Sequence, residues 1–226
     1  MPNRISRVTR SKESTRASYN RMSRFYDLLA GSSERKFVES GIEKLGIKED
    51  EKVLEIGFGT GHALVSLAQA VGEKGKVYGI DISDEMLTVA RKKLKKAGLS
   101  DRVELTHDDA LHLPYSSRSF DALFMAFTLE LFDTPQIPSV LTECHRVLKS
   151  GGRICVVAIS KEGKDNLMMR LYEWAHRCFP AYVDCRPIYL RETLEDAGFR
   201  ILDCEIITMW GLPVGILLGA NQSKRC

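Results

Sequence analysis

The sequence predicts an α/β fold: a doubly wound, mostly parallel sheet with helices on both faces, closed by an antiparallel C-terminal hairpin strand. Three observations predict it. Short apolar runs alternate with amphipathic stretches from residue 52 to residue 160, as strands feeding crossover helices do. In Val53-Leu54-Glu55-Ile56-Gly57-Phe58-Gly59-Thr60-Gly61-His62, apolar residues lead to an acid and glycines then take every second position. That pattern is a buried strand, a tight turn and a helix N-terminus. Near the C-terminus, Phe199 to Met209 and Val214 to Ala220 are strand-like runs joined through Trp210-Gly211-Leu212-Pro213, a hairpin pattern.

The elements follow in order. Ser18 to Leu29 reads as a helix with Tyr19, Met22, Phe25 and Tyr26 on one face, and Phe37 to Leu45 as a second one ended by Gly46. Lys52 to Ile56 is the first strand and Gly61 to Val71 the helix after it. Lys76 to Ile80 is the second strand. Asp84 to Ala97 is the next helix, with Ser83 as its N-cap and Gly98 as its stop. Its run of lysines and Arg91 reads as a solvated face. Val103 to Thr106 is the third strand, and the nearly all-apolar Phe120 to Phe127 a central fourth. Pro135 to Leu148 is a helix stopped by Ser150-Gly151-Gly152, before a fifth strand from Arg153 to Ile159. Residues 161–190 then break the alternation with an inserted helical segment on the substrate side, and Arg191 to Ala197 forms the last helix.

Length and charge set the outer limits. A chain of 226 residues suits one α/β domain with a sizeable core. Residues 1–16 carry Arg4, Arg7, Arg10, Lys12 and Arg16 against Glu13, a net +4 that leaves about −1 for the rest of a chain of net charge +3. The reading is a flexible basic tail, 1–16, on a near-neutral domain, 17–226, whose segment 17–45 is a helical lid. The tail is either solvated or in contact with an anionic surface, and no nucleic-acid partner is expected of the globule. Cys144, Cys155, Cys178, Cys185, Cys204 and Cys226 show no C-x-x-C spacing, so no metal site is expected. No signal peptide opens the chain and no apolar run approaches the ~20 residues of a membrane span. The expectation is a cytoplasmic protein with at most peripheral membrane contact.

The glycine-rich turn carries the chemistry. Glycines let a ligand approach the backbone, and the helix N-terminus offers unpaired N–H groups. Asp81 ends the next apolar run, twenty residues after Gly61. A carboxylate placed there can accept both hydroxyls of a ribose. Together they call for an adenosine-containing cofactor. The dinucleotide spacing is G-x-G-x-x-G, whereas here it is G-x-G-x-G, with His62 where a third glycine would fall. Glu55, two residues before Gly57, would repel a diphosphate and attract a cation.

On these residues the chain resembles the class I S-adenosylmethionine-dependent methyltransferases, whose first motif reads E/D-x-G-x-G-x-G; Glu55, Gly57, Gly59 and Gly61 match it. Asp109-Ala110, Leu113-Pro114-Tyr115 and Phe120-Asp121 resemble the family's D-A-x-x-L-P-F…F-D segment, and Arg146 to Gly152 its R-V-L-K-P-G-G turn. The motifs span roughly residues 50–160. Within the family the chain is most similar to the branch of ubiquinone and menaquinone C-methyltransferases and small phospholipid N-methyltransferases, which also has a Y-D helix like Tyr26-Asp27. The resemblance implies a Rossmann-like sheet and S-adenosyl-L-methionine as cofactor. It implies that Asp109 contacts the adenine amine, that the Ala110 N–H reads a ring nitrogen, and that Ile82 and Met86 pack on adenine. It also implies that Thr60, Ala126, Phe127 and Tyr26 border the cofactor. Alanine at 126 departs from the family's small polar residue, and the N/D-P-P-Y signature of base-amino methyltransferases is absent.

Other residues keep two readings. Met86 packs on adenine or in the core. His62 caps a helix or meets the ligand. Glu130 holds a substrate ammonium, serves as a base, or is a surface carboxylate. Arg186 binds an anionic substrate group or makes a structural ion pair. Tyr19 stands at the methionine end with Tyr26. No His/Asp or Cys/His constellation points to a catalytic residue, as suits methyl transfer governed by alignment. The expected acceptor is a small or lipid-like molecule, because Met168, Met169, Tyr172, Trp174, Phe179 and Tyr182 suit an apolar wall. A thiol or metalloid acceptor, prompted by Cys178, Cys185 and Cys204, and a non-catalytic cofactor-binding protein are the alternatives.

Overall fold

The computed structural model describes residues 31–162, 167–178 and 185–222. The expected helix from Ser18 to Leu29, with Tyr19 and Tyr26, lies outside them.

Seven strands form one sheet: β1 (Lys52–Ile56), β2 (Lys76–Asp81), β3 (Val103–His107), β4 (Phe120–Ala126), β5 (Leu148–Ile159), β6 (Phe199–Met209) and β7 (Leu212–Asn221), in the order β3-β2-β1-β4-β5-β7-β6. The first five are parallel and β7 runs antiparallel to both β5 and β6. Strand order reverses at β1, which has β2 on one side and β4 on the other. In open α/β sheets the crevice for ligands opens beside such a reversal, at the carboxyl ends of the strands.

Alternate residues of the central strands face two separate cores. Val53, Val77, Phe124, Cys155 and Val157 meet α1 (Gly31–Leu45), α2 (His62–Ala70) and α3 (Asp84–Ala97) on one face. Leu54, Leu123, Met125, Ile154 and Val156 meet α4 (Ile137–Val147) and α6 (Leu190–Asp196) on the other. A further helix, α5 (Leu167–Cys178), lies in the segment between β5 and α6. α1 comes close to the sheet through Gly41, where a β-carbon would lie 2.7 Å from Val157. It is tied at its far end by Lys44 to Asp203 and by Arg153 Nε donating to the Leu45 carbonyl at 2.9 Å.

The local signals act as expected at most boundaries. The Ser83 hydroxyl accepts from the Met86 N–H at 3.2 Å, and Gly98 ends α3 in the left-handed conformation at φ 70°. Two boundaries differ. α4 starts at Ile137, not Pro135, because Asp133 and Gln136 close a turn first: the Gln136 N–H donates to the Asp133 carbonyl at 2.8 Å. β5 starts at Leu148, before the glycines, and a shift in register between Phe120 and Ala122 absorbs the extra residues. The hairpin turn is shorter than expected. Only Trp210 and Gly211 form it, both at positive φ (49° and 85°), and Met209 pairs directly with Leu212. Such a turn matches the twist of two antiparallel strands.

Candidate functional site

A cavity of about 1080 Å³ opens over the ends of β1, β2 and β4. It gathers Glu55, Gly57, Gly59 and Thr60 from the first turn, Asp81, Ile82 and Met86 from the second, Asp109 and Ala110 from the third, and Ala126 and Phe127 from β4. Sequence-distant residues are brought together because every one sits within a few positions of a strand end.

The three glycines do different work. A β-carbon on Gly57 would lie 2.4 Å from the Thr128 side chain, and one on Gly61 would lie 2.9 Å from the Ala90 Cβ. Gly57 therefore lets the turn seat against the end of β4, and Gly61 lets α2 pack on α3. A β-carbon on Gly59 would meet nothing within 4 Å. Its missing side chain leaves space on the cavity wall, the position where a ligand approaches backbone.

Asp81 organises the same turn. One carboxylate oxygen accepts from the Gly59 N–H and the other from the Ser83 N–H, each at 2.9 Å. Burial pushes its pKa up, and these hydrogen bonds and His107 pull it back in part. His107 braces the strand end, with its ring 2.8 Å from the Ile82 carbonyl and 2.9 Å from Asp84. Asp81 lines the cavity, and a carboxylate oxygen that accepts one N–H can accept a hydroxyl as well.

Glu55 is 3% exposed and lines the cavity, yet its Oε2 has no hydrogen-bond partner. Burial, with the charge of Asp81 second, pushes its pKa up to about 8. A buried carboxyl oxygen left open calls for a donor or cation from a ligand. S-adenosylmethionine fits this donor set, since its ribose hydroxyls suit Asp81 and its ammonium suits Glu55. No phosphate is required of a wall that holds two carboxylates.

The Asp109 carboxylate accepts from the Leu111 N–H at 3.0 Å and so fixes its own turn. The loop behind it is held from α4. Arg146 donates to the Tyr115 carbonyl at 2.7 Å and to the Leu113 carbonyl at 2.9 Å, while Glu143 accepts from the Leu113 N–H at 2.9 Å. Sequence reading placed Arg146 in a motif and missed this role; the signal was an acid three residues before it on a helix. Thr128 was missed as well. It packs against Gly57 and donates to the Ala126 carbonyl at 2.9 Å. Phe127 sits at φ 50°, held by its N–H to the Val157 carbonyl at 2.8 Å. A bulky residue is strained there, and strained backbone clusters at ligand sites.

Three expectations need correction. Glu130 is fully buried and accepts from the Ile159 N–H at 3.2 Å; it is not on the cavity wall. Arg186 is also fully buried. It donates to the Thr134 hydroxyl at 2.9 Å and to the Phe132 carbonyl, so the guanidinium is spent on the loop that follows β4 rather than turned to a substrate anion. None of the described residues of 161–190 lines the cavity. Among the described residues, the wall beyond the strand ends comes from Glu34, Arg35, Val38 and Glu39 of α1 and from Leu131, Phe132, Asp133, Pro135 and Gln136. Val65, Ser66 and Gln69 of α2 and Lys93 of α3, whose ammonium donates to the Thr60 hydroxyl at 3.3 Å, extend the cavity along its rim. None of the described cysteines borders it. A second groove, about 1300 Å³, lies at the other end of β5, β6 and β7 and holds none of the glycine-turn residues.

Comparison with known proteins agrees with this geometry. The family described as a methyltransferase domain matches residues 53–152. A demethylmenaquinone methyltransferase of Geobacillus stearothermophilus is 38% identical over 65% of this chain, a match spanning 60% of that protein. The demethylmenaquinone methyltransferase of Lactobacillus johnsonii is 32% identical over 92% of each chain. A crystal structure of an S-adenosylmethionine-dependent methyltransferase from Aquifex aeolicus superposes with a TM-score of 0.61, at 30% identity, over 81% of this chain and 88% of that one. With the glycine turn, Asp81 and the open Glu55 in their places, the chain belongs to the class I S-adenosylmethionine-dependent methyltransferases, in the branch of ubiquinone and menaquinone C-methyltransferases.

Proposed function

We propose that this protein transfers a methyl group from S-adenosylmethionine to a quinone-type or similar lipid-like acceptor. The observation that carries the reading is Glu55, a buried carboxyl with one unpartnered oxygen on the wall of a cavity that Val38, Phe127, Leu131 and Phe132 also line. When bound, the cofactor supplies an activated methyl on a sulfonium. The chain holds it: Asp81 accepts from the ribose hydroxyls, Glu55 takes the ammonium, and the space over Gly59 admits the backbone approach. Ile82 and Met86 would pack on the adenine, and Asp109 and the Ala110 N–H would read its edge. Val38, Phe127, Leu131 and Phe132 supply apolar surface for an acceptor ring and exclude water around it. Alignment at ~3 Å and loss of water then carry most of the rate. Relatives named for demethylmenaquinone support the quinone class.

The test is direct. The protein is incubated with cofactor labelled in the methyl group and a short-chain demethylated naphthoquinol, and the product is identified by mass spectrometry. Carbon methylation that falls when Val38 or Leu131 is changed to Asp, with cofactor affinity kept, is the expected result. Cofactor binding with no transfer to quinol, amine or hydroxyl acceptors would sink the reading.

A further inference from the structure

Apolar side chains collect outside the cavity. Leu167, Leu171 and Trp174 are 82%, 53% and 51% exposed, and Met168 beside them is 43% exposed. Their spacing puts them on one side of α5, while Met169 and His176 on the other side are buried. The patch continues onto the hairpin. Trp210 is 67% exposed, and a β-carbon on its neighbour Gly211 would lie 3.3 Å from the Met168 side chain. Both tryptophans of the chain are therefore in this patch. Scattered exposed apolar residues are ordinary, but a joined patch marks an interaction surface.

The edge of the patch is basic. Arg170 and Arg177 are exposed on the flank of α5. The one acid within α5, Glu173, is paired with Lys161 at 2.6 Å. The patch also shares an end of the sheet with the cavity: Met209 pairs with Leu212 and Ile159 with Val214, so the hairpin tip lies beside the carboxyl end of β5.

We propose that the outer side of α5 and the hairpin tip dock the protein on an anionic lipid bilayer, next to the opening through which a lipid-like acceptor enters. This rests on the acceptor class inferred above. A helix lying in the interface buries one apolar side, with aromatic residues at headgroup level and arginines reaching to lipid phosphates. Charge decides among occupants. A second copy seated by two-fold symmetry would bring the same arginines together. Residues 1–16, at net +4, would be repelled by this edge and drawn to the same anionic surface.

Because Trp174 and Trp210 are the only tryptophans, their fluorescence reports the docking without a label. The full chain is titrated with vesicles of phosphatidylcholine holding about a quarter phosphatidylglycerol. A blue shift and quenching by brominated lipid are expected. Changing Leu167 and Leu171 to Asp should lower partitioning by about tenfold or more, with turnover of the short-chain quinol retained. Four results would overturn the proposal: no binding by the wild type; equal binding by the variant; loss only when Arg4, Arg7 and Arg10 become Glu; or a wild-type dimer that the variant splits, which assigns the patch to a second copy. Vesicle binding with no methyl transfer to any quinol supports docking and rejects the acceptor class.

Discussion

In the parallel half of the sheet, β1 to β4, the ligand wall is built from the turns that follow the strands. Gly57, Gly59 and Gly61 fix the first turn, Asp81 bonds two N–H groups, and the positions follow strand register. In the C-terminal half, position is set by long side chains that cross between elements. Arg186 reaches the Phe132 carbonyl and Thr134, Lys44 of α1 reaches Asp203 on the edge strand, and α5 leaves large apolar residues in water. The lesson is that one half is specified locally and the other by contacts between distant residues. Substitutions should therefore fail in different ways on the two sides.

The largest effect is expected in the glycine turn. Gly57→Val drives a branched side chain into Thr128 and holds a β-branched residue at φ 73°. Cofactor binding by calorimetry should vanish. Gly59→Ala meets no neighbour, so its folding cost is only the left-handed backbone, about 1–2 kcal/mol, while cofactor affinity still falls. Equal effects on folding at the two glycines would break the distinction between a packing glycine and an approach glycine.

On the other side, Arg186→Ala should spare the glycine turn and damage stability. It leaves the partly buried Phe132 carbonyl without its donor and opens a void where the fully buried Arg186 side chain was, a cost on the order of 3–5 kcal/mol. Chemical denaturation measures it. A loss under 1 kcal/mol would mean that the loop after β4 holds itself.

Glu55 tests whether the open oxygen belongs to a ligand. Its pKa is raised to about 8 in the folded chain, so the native state binds more protons than the unfolded one between about pH 4.5 and 8. Stability without cofactor is then full below that window and is lost as pH rises through it, on the order of 5 kcal/mol at most. Glu55→Gln should flatten this slope and raise the melting temperature at pH 8. Added cofactor should reverse the order, because its ammonium pairs with the carboxylate and not with the amide. Proton release on binding at pH 7, measured by calorimetry in buffers of different ionisation enthalpy, should disappear in the variant. A wild-type melting temperature that does not fall between pH 5 and 8 would remove the argument.

Asp81→Ala should weaken cofactor binding by about 1.5–3 kcal/mol, the scale of charge-assisted hydrogen bonds. Part of that loss comes through the turn, since the Gly59 and Ser83 N–H groups lose their acceptor. Asp81→Asn keeps one acceptor oxygen and should fall between. Wild-type affinity in Asp81→Ala would contradict the ribose role.

What was legible in the sequence follows the same division. The glycine spacing, Asp81, the Ser83 cap and the alternation of strands and helices were readable because each depends on residues close in the chain. Glu130 and Arg186 each kept a substrate-facing reading beside a structural or surface one, because spacing does not show burial; only packing shows that both are buried. Helical spacing gave α5 an apolar side without saying which way it turns, and the exposed Leu167, Leu171 and Trp174 settle that. α1 falls within the segment 17–45 read as a lid, but Glu34, Arg35 and Val38 were not singled out, since they match no motif and reach the cavity only through the packing of Phe37 and Gly41 on the sheet.

The smallest effect bears on the hairpin tip. Trp210 stands at φ 49° in a two-residue turn, a position that Asn or Gly takes at lower cost. The residue is 67% exposed and so gains little from burial. Trp210→Asn should therefore stabilise the protein by about 0.5–1 kcal/mol, because the strain of a large residue in the left-handed region is relieved. Vesicle binding by the same variant should weaken. A gain in thermal stability together with a loss of lipid affinity would show that this turn trades stability for a surface contact, as strained positions at functional sites do. If the variant is less stable than the wild type, Trp210 is packed against the chain in solution, and the hairpin tip belongs with the locally specified half of the molecule after all.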